Sequence, residues 1–130
     1  MAGTFKFELV TPERMVVSEE ATQVVVPGTE GEFAVLPGHS PVVSSLRPGV
    51  LDATLANARK VRVFVKGGLA ECDATHLTVL AERALDVEDL KGNILSAELE
   101  LAEKELAAAT DDDARFAASN AVAQLKALQR

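Results

Sequence analysis

The side chains that could take part in catalysis are few, and most lie near one histidine. His39 is followed directly by Ser40 and is close in sequence to Ser44 and Ser45, so a hydrolytic serine–histidine pair is the first chemistry to consider. Neighbours in sequence seldom reach the geometry of nucleophile and base, and the G-x-S-x-G turn that presents a nucleophilic serine is missing from the sequence. The sequence therefore argues against hydrolytic catalysis.

Metal binding is the second chemistry to consider. His39, His76 and Cys72 are ligand types, but no two of them stand at the spacing of a metal site. We interpret His39 as a loop histidine and His76 as a strand-edge histidine. Cys72 is the single cysteine, so we expect an ordinary buried or half-buried thiol and no internal disulfide. The sequence predicts neither a metal site nor a cofactor.

Two other short motifs fall short of a chemical site. Glu30 and Glu32 could form an acid–base pair, but Gly31 separates them at a turn where neither is expected to lose water. They are better interpreted as solvated or partner-facing carboxylates. Gly67-Gly68 matches no phosphate-binding loop and is predicted to form a tight turn or bulge between strands.

Composition excludes several classes of function. The 130 residues carry a formal charge of −7, with five Phe and no Trp or Tyr, so a nucleic-acid surface is not expected. No run of about 18 apolar residues is present, and neither a membrane insertion nor a targeting segment is predicted. Protein partners are the favoured class.

The elements that position these residues begin with a turn-rich first half. Pro-Gly pairs at 27–28, 37–38 and 48–49 reverse the chain between short apolar runs and bring Glu30, Glu32 and His39 near the tips. Alternating runs such as Phe5-Phe7-Leu9 and Val61-Val63-Val65 predict strands with one apolar face. Residues 1–86 are predicted to form an antiparallel β-sandwich of about ten strands.

The second half has a different pattern. Residues 87–130 hold eleven alanines and one glycine but no proline, which favours helix. Apolar residues recur at helical spacing, and Thr110 to Asp113 interrupts them with aspartates suited to a helix start. We predict an antiparallel two-helix hairpin of low stability and an α+β, mainly β, fold overall. The two predicted stripes are Leu95, Leu99, Ala102, Leu106 and then Ala114, Ala118, Ala121, Leu125, Leu128.

Several of these motifs together resemble a known family. An opening F-x-F-E-L-V-T-P-E-R, the run V-P-G-x-E-G-E-F-A-V-L-P-G-H-S-P, an R-P-G-V-L turn, a V-x-G-G-L segment and an alanine-rich hairpin occur in this order. This order is similar to that of the epsilon subunit of F-type ATP synthase across essentially the whole chain. The bacterial form fits better than the imported mitochondrial counterpart, because no presequence precedes Met1.

The resemblance implies a non-catalytic rotor component without a cofactor. Its β-sandwich would bind the gamma subunit and the c-ring at the cytoplasmic face of the bacterial inner membrane, as a peripheral protein. It would couple proton-driven rotation of the ring to the catalytic head. The residues that the resemblance places at the c-ring and gamma interface are Glu30, Gly31, Glu32, Gly38 and His39.

The hairpin departs from the family where some members bind ATP. Their first helix carries an aspartate, two residues and Arg-Ala, and alignment of the Ala102 to Leu106 segment places Lys91 at the aspartate and Ile94 at the arginine. With both polar partners missing, we predict weak or absent ATP binding.

Charge also argues against strong inhibition of ATP hydrolysis by the hairpin. In members that inhibit, basic residues of the second helix meet acidic segments of the alpha and beta subunits. Residues 87–130 hold nine acids against five bases, so repulsion is expected to blunt that contact. The main alternative is a free-standing β-sandwich binding module with a helical dimerisation tail.

Overall fold

The computed structural model describes residues 3–129, which form a curved sheet followed by two helices. The strands are β1 (Phe5–Val10), β2 (Met15–Gly28), β3 (Gly31–Val35), β4 (Val42–Ser45), β5 (Gly49–Leu55), β6 (Lys60–Cys72) and β7 (His76–Asp86). A short 3-10 helix (Val87–Asp89) leads to α1 (Gly92–Ala108) and α2 (Asp112–Ala127).

Five of the strands close into a ring in the order β1-β7-β6-β5-β2 and back to β1. β3 extends the ring from β2, and β4 pairs with β6. The prediction of a mainly β domain with two C-terminal helices is confirmed, but the predicted strand number is wrong: residues 3–129 hold seven strands. The sheet is also not purely antiparallel, because β1 runs parallel to β7.

Gly67 and Gly68 explain part of the error in strand number. They were expected to separate two strands, yet β6 runs through both as one bent strand of 13 residues. Both have positive φ, and a Cβ on Gly68 would lie 2.0 Å from the carbonyl oxygen of Leu80. Only glycine fits this close approach of β6 to β7. The bend lets one strand serve two sides of the barrel.

The interior follows the predicted alternation. Phe5, Phe7 and Leu9 are at most 2% exposed, whereas Lys6, Glu8 and Val10 alternate with them on the outside. Burial of each such side chain contributes about 1.5–3 kcal/mol. The alternation of β1 thus fixes which face of the strand enters the core.

The two helices form the predicted hairpin, with Ala109 to Asp111 between them. Asp111 caps α2, because its carboxylate accepts a hydrogen bond from the Ala114 N–H at 2.7 Å. Asp112 and Asp113 follow in the first turn, where negative charge meets the positive end of the helix dipole. The interpretation of the aspartate run as a helix start is confirmed.

The hairpin lies on the outside of the ring, over three apolar side chains that we call the covered row: Val50, Phe64 and Leu85. They are direct cross-strand partners on β5, β6 and β7. Phe64 is fully buried, and the helices cover the row with a second apolar cluster, separate from the core. Its buried helix members are Leu95, Leu99, Ala102, Ala121 and Leu125.

Candidate functional site

The β2–β3 turn presents its two carboxylates to solvent. Glu30 and Glu32 are exposed on either side of Gly31, whose φ of +131° is strained for any residue with a side chain. The turn borders an open groove of about 510 Å³, whose other wall is β4, Val42–Ser45. The neighbouring Val43 is 63% exposed. The turn therefore combines charge with an adjacent apolar edge.

His39 lies differently from its expected position at a loop tip. It is half-buried, with its ring centroid 6.4 Å from that of Phe33. Its Nδ1 is 2.6 Å from the carbonyl oxygen of Ser40, and the Gly38 N–H donates to the Ala74 carbonyl at 2.9 Å. The β3–β4 loop is thus tied inward to the β6–β7 turn, and His39 helps to hold it there.

Cys72 and His39 meet, although their sequence spacing gave no sign of it. Cys72 Sγ lies 3.3 Å from His39 Nδ1. Because Nδ1 donates its proton to the Ser40 carbonyl, it does not take a proton from the thiol. Burial raises the pKa of the Cys72 thiol, the Val42 backbone hydrogen bond lowers it, and the charge of Asp73 raises it further. Cys72 is a free, buried thiol, in agreement with the prediction of a buried or half-buried one.

His76 belongs to a structural turn. Asp73 Oδ1 accepts the backbone N–H groups of Thr75 at 2.8 Å and His76 at 2.9 Å, and these hydrogen bonds lower the pKa of Asp73. His76 Nδ1 lies 2.8 Å from Thr75 Oγ1. Across residues 3–129, no three side chains of the ligand types come together as a metal site.

The structure also contains a surface that sequence reasoning missed. Leu69, Leu80, Val10 and Met15 are successive cross-strand partners on β6, β7, β1 and β2. Leu80 and Met15 are each 49% exposed. We call these four residues the bare row. An apolar groove of about 340 Å³ runs beside it, lined by Val10, Thr11, Pro12, Leu80, Ala81 and Glu82. The available signal was an apolar residue on the outward-facing position of several strands.

The two positions that the resemblance aligns with a nucleotide motif, Lys91 and Ile94, lie at the start of α1. Lys91 precedes the helix with an extended backbone and makes no side-chain cap. Ile94, in the first turn, is 53% exposed. Neither side chain supplies a hydrogen-bond acceptor or a planar cation at this end of the hairpin.

Comparison with known proteins identifies the family. Residues 4–87 match the family model described as ATP synthase, Delta/Epsilon chain, beta-sandwich domain. The ATP synthase epsilon chain of Parvibaculum lavamentivorans is 42% identical over 99% of this chain and 98% of its own length. The chain belongs to the ATP synthase epsilon chain family. The epsilon chain of Rhodospirillum rubrum is 41% identical over 98% of this chain and 96% of its own length.

Solved structures support the same fold at lower identity. A chain of the Euglena gracilis mitochondrial ATP synthase, solved as OSCP/F1/c-ring, aligns with a TM-score of 0.74 at 22% identity. It covers 96% of this chain and 79% of its own length. A chain in the central stalk and c-ring structure from Tetrahymena thermophila ATP synthase aligns at 0.69 with 13% identity, covering 98% of both chains.

Family membership makes the chain a non-catalytic subunit of a proton-translocating ATP synthase. In the described part of the chain, no helix has the length and apolar character needed to cross a membrane.

Proposed function

We propose that the chain is a central-stalk rotor subunit of a bacterial F-type ATP synthase. It binds gamma and the c-ring at the cytoplasmic face of the inner membrane and helps to transmit ring rotation to the catalytic head. The observation that carries this proposal is full-length similarity to bacterial epsilon chains. The fold shared with chains of solved central-stalk assemblies supports it.

The bare row is the proposed contact for gamma. The half-exposed side chains of Leu80 and Met15 form an apolar patch with the groove beside them. A partner that removes this patch from water would stabilise the complex. Each buried Å² of such surface contributes about 25 cal/mol. A barrel surface with four aligned apolar side chains offers the gamma subunit a continuous apolar contact.

The β2–β3 turn and the β3–β4 loop are the proposed contact for the c-ring. Glu30, Gly31 and Glu32 offer exposed charge and backbone, while Gly38 and His39 shape the adjoining loop. Exposed ion pairs contribute about 0–1 kcal/mol each. The turn therefore needs several contacts at once, and the groove beside β4 can provide an apolar one.

The hairpin is proposed to remain docked, to bind ATP poorly and to inhibit hydrolysis weakly. Docking buries Phe64 completely, and Lys91 and Ile94 lack the groups that nucleotide binding in the family uses. Calorimetric titration of the isolated chain with ATP should show no binding in the micromolar range. Micromolar affinity would contradict this part of the proposal.

Co-purification tests the rotor assignment directly. When the chain is co-expressed with the gamma subunit of the same organism, we expect a stable one-to-one complex by size-exclusion chromatography and mass spectrometry. A chain that elutes alone, with gamma soluble in the same lysate, would contradict the assignment.

One observation favours the alternative of a binding module with a helical dimerisation tail. Ile94, Leu101 and Phe116 are 41–54% exposed on the hairpin, so the helices have apolar surface left for another helix. Sedimentation equilibrium separates the two functions. A tight dimer of the isolated chain that loses its affinity in the variant Leu101→Glu would support the alternative.

A further inference from the structure

Within residues 3–129, two ion pairs cross the interface between the hairpin and the sheet. Lys66 on β6 and Arg83 on β7 are direct cross-strand partners. Like charges in this position repel one another. Glu98 and Glu105 stand two helical turns apart on α1, about 10.5 Å along its axis. Glu98 pairs with Arg83, and Glu105 Oε1 lies 3.0 Å from Lys66 Nζ. Glu98 and Glu105 thus each neutralise one base of the sheet.

Each pair contains one member that is largely buried. The Glu98 side chain is 9% exposed and its partner Arg83 is 49% exposed. In the second pair the Lys66 side chain is 15% exposed and Glu105 is 50% exposed. Glu98 Oε1 is buried without a hydrogen-bond partner, so Arg83 supplies the main compensation for this carboxylate. A buried charge that loses its partner is far more costly than a pair that is removed as a whole.

We propose that these four residues act as a charge latch, which fixes the docked position of the hairpin and makes docking depend on intact counter-charges. Helix displacement by one turn would move both carboxylates about 5.4 Å from their partners and leave Lys66 next to Arg83 without its full compensation. The latch therefore selects one register among the positions that the apolar contacts of Leu95 and Leu99 alone would allow.

The latch also gives the docked state a defined way to open. Undocking returns Glu98 and Lys66 to water, so an acidic segment of a partner that engages Lys66 and Arg83 would compete directly with α1. The meaning of such opening for the rotor rests on the proposed function, whereas the latch itself is a property of the isolated chain.

Hydrogen exchange of the full-length chain, followed by mass spectrometry over residues 92–108, tests the latch. Because the helices are poor in large apolar residues, undocking is expected to expose their amides to exchange. Arg83→Met should accelerate exchange in α1 by about tenfold or more. The double variant Arg83→Met/Glu98→Leu should return to the wild-type rate or below it. Arg59→Met, which breaks the exposed pair with Glu19, is the matched control and should change nothing in α1.

Two outcomes would overturn the proposal: unchanged α1 exchange in Arg83→Met, or a double variant that exchanges as fast as the single one. If Arg83→Met also accelerates exchange in β1, the barrel itself unfolds in that variant. A salt series then replaces the measurement on Arg83→Met. Raising NaCl from about 0.05 to about 0.5 M should accelerate α1 exchange in the wild type but not in the double variant. Equal salt responses would also refute the latch. None of these measurements requires another ATP synthase subunit, so their failure is distinct from failure of the rotor assignment.

Discussion

Two apolar rows lie on the outside of the same barrel, and they differ in whether the hairpin buries them. The covered row joins Val50, Phe64 and Leu85 and is sealed by the hairpin, so that Phe64 is fully buried. The bare row includes Leu69 and Leu80 on the same two strands, beyond the Gly67–Gly68 bend, and Leu80 stays 49% exposed. Chemically similar rows therefore serve two purposes: one joins parts of this chain, and the other is available to another chain.

The comparison shows that the role of an apolar surface on a small subunit depends on whether another part of the same chain buries it. Phe64 counts toward the stability of docking, because its burial is complete without a partner. Leu80 contributes little to the isolated fold and can contribute to assembly. Substitutions in the two rows should therefore affect different measurements.

The largest effect is expected at the covered row. Phe64→Ala should weaken docking of the hairpin by about 3–5 kcal/mol, because it removes a ring from a closed apolar cluster. Leu80→Ala should change stability by less than about 0.5 kcal/mol. Chemical denaturation combined with hydrogen exchange in α1 measures both. Similar losses in the two variants would remove the distinction between the rows.

The next largest effect is expected on the affinity for gamma, where substitutions in the bare row should matter more than substitutions in the covered row. Leu80→Asp should weaken gamma binding by about 10- to 100-fold, as expected for a charge placed in an apolar contact, with the melting temperature nearly unchanged. Leu36→Asp is the control, since Leu36 is also 49% exposed but lies in the β3–β4 loop. Biolayer interferometry with immobilised gamma compares them. Equal weakening in both variants would argue against the bare row as the gamma contact.

A smaller effect is expected from deleting the hairpin that lies over the covered row. Deletion of residues 88–130 should change ATP hydrolysis by the assembled complex by less than about twofold, because the acidic hairpin is a poor match for acidic segments of the head. The deletion also exposes Phe64, so a second deletion that carries Phe64→Gln checks that the exposed ring does not account for any change, and the full-length wild type is the control. Strong activation of hydrolysis by the deletion would contradict weak inhibition.

The smallest effect is expected away from both rows, at the β6–β7 turn. Asp73→Ala removes the acceptor for the Thr75 and His76 N–H groups and should lower the melting temperature slightly at neutral pH. The folded-state pKa of Asp73 is depressed, so its contribution is present above the ordinary value of 3.8 and is lost as the pH falls below it. Melting curves of the wild type and Asp73→Ala should therefore converge in acid. A difference that persists in acid would show that the carboxylate charge is not responsible.

Much of the fold could be predicted from local patterns. The alternation around Phe7 gave a core strand, and the aspartates at 111–113 gave a helix start, because both depend on neighbours in sequence. The Pro-Gly turns also placed Glu30 and Glu32 in exposed positions correctly.

The rest depends on pairing between distant strands. Phe64 and Leu69 are five positions apart, so a straight strand would point them to opposite faces, yet the bend at Gly67–Gly68 turns both outward. The parallel closure of β1 on β7 has no local signal, and neither does the meeting of Cys72 with His39. For the same reason, no local pattern indicates that Lys66 and Arg83 are neighbours, because only the register of β6 and β7 places them side by side.

Closure of the sheet by β1 has a mechanical consequence. In an open sheet, a twisting load on one face peels the edge strand away and breaks its hydrogen bonds one after another. Here β1 is bonded on both sides, to β2 and to β7, and the bare row crosses these three strands and β6. A tangential force applied there is shared among several ladders in shear. The barrel should consequently behave as a stiff coupling, and elastic compliance would lie in the turns and in the hairpin.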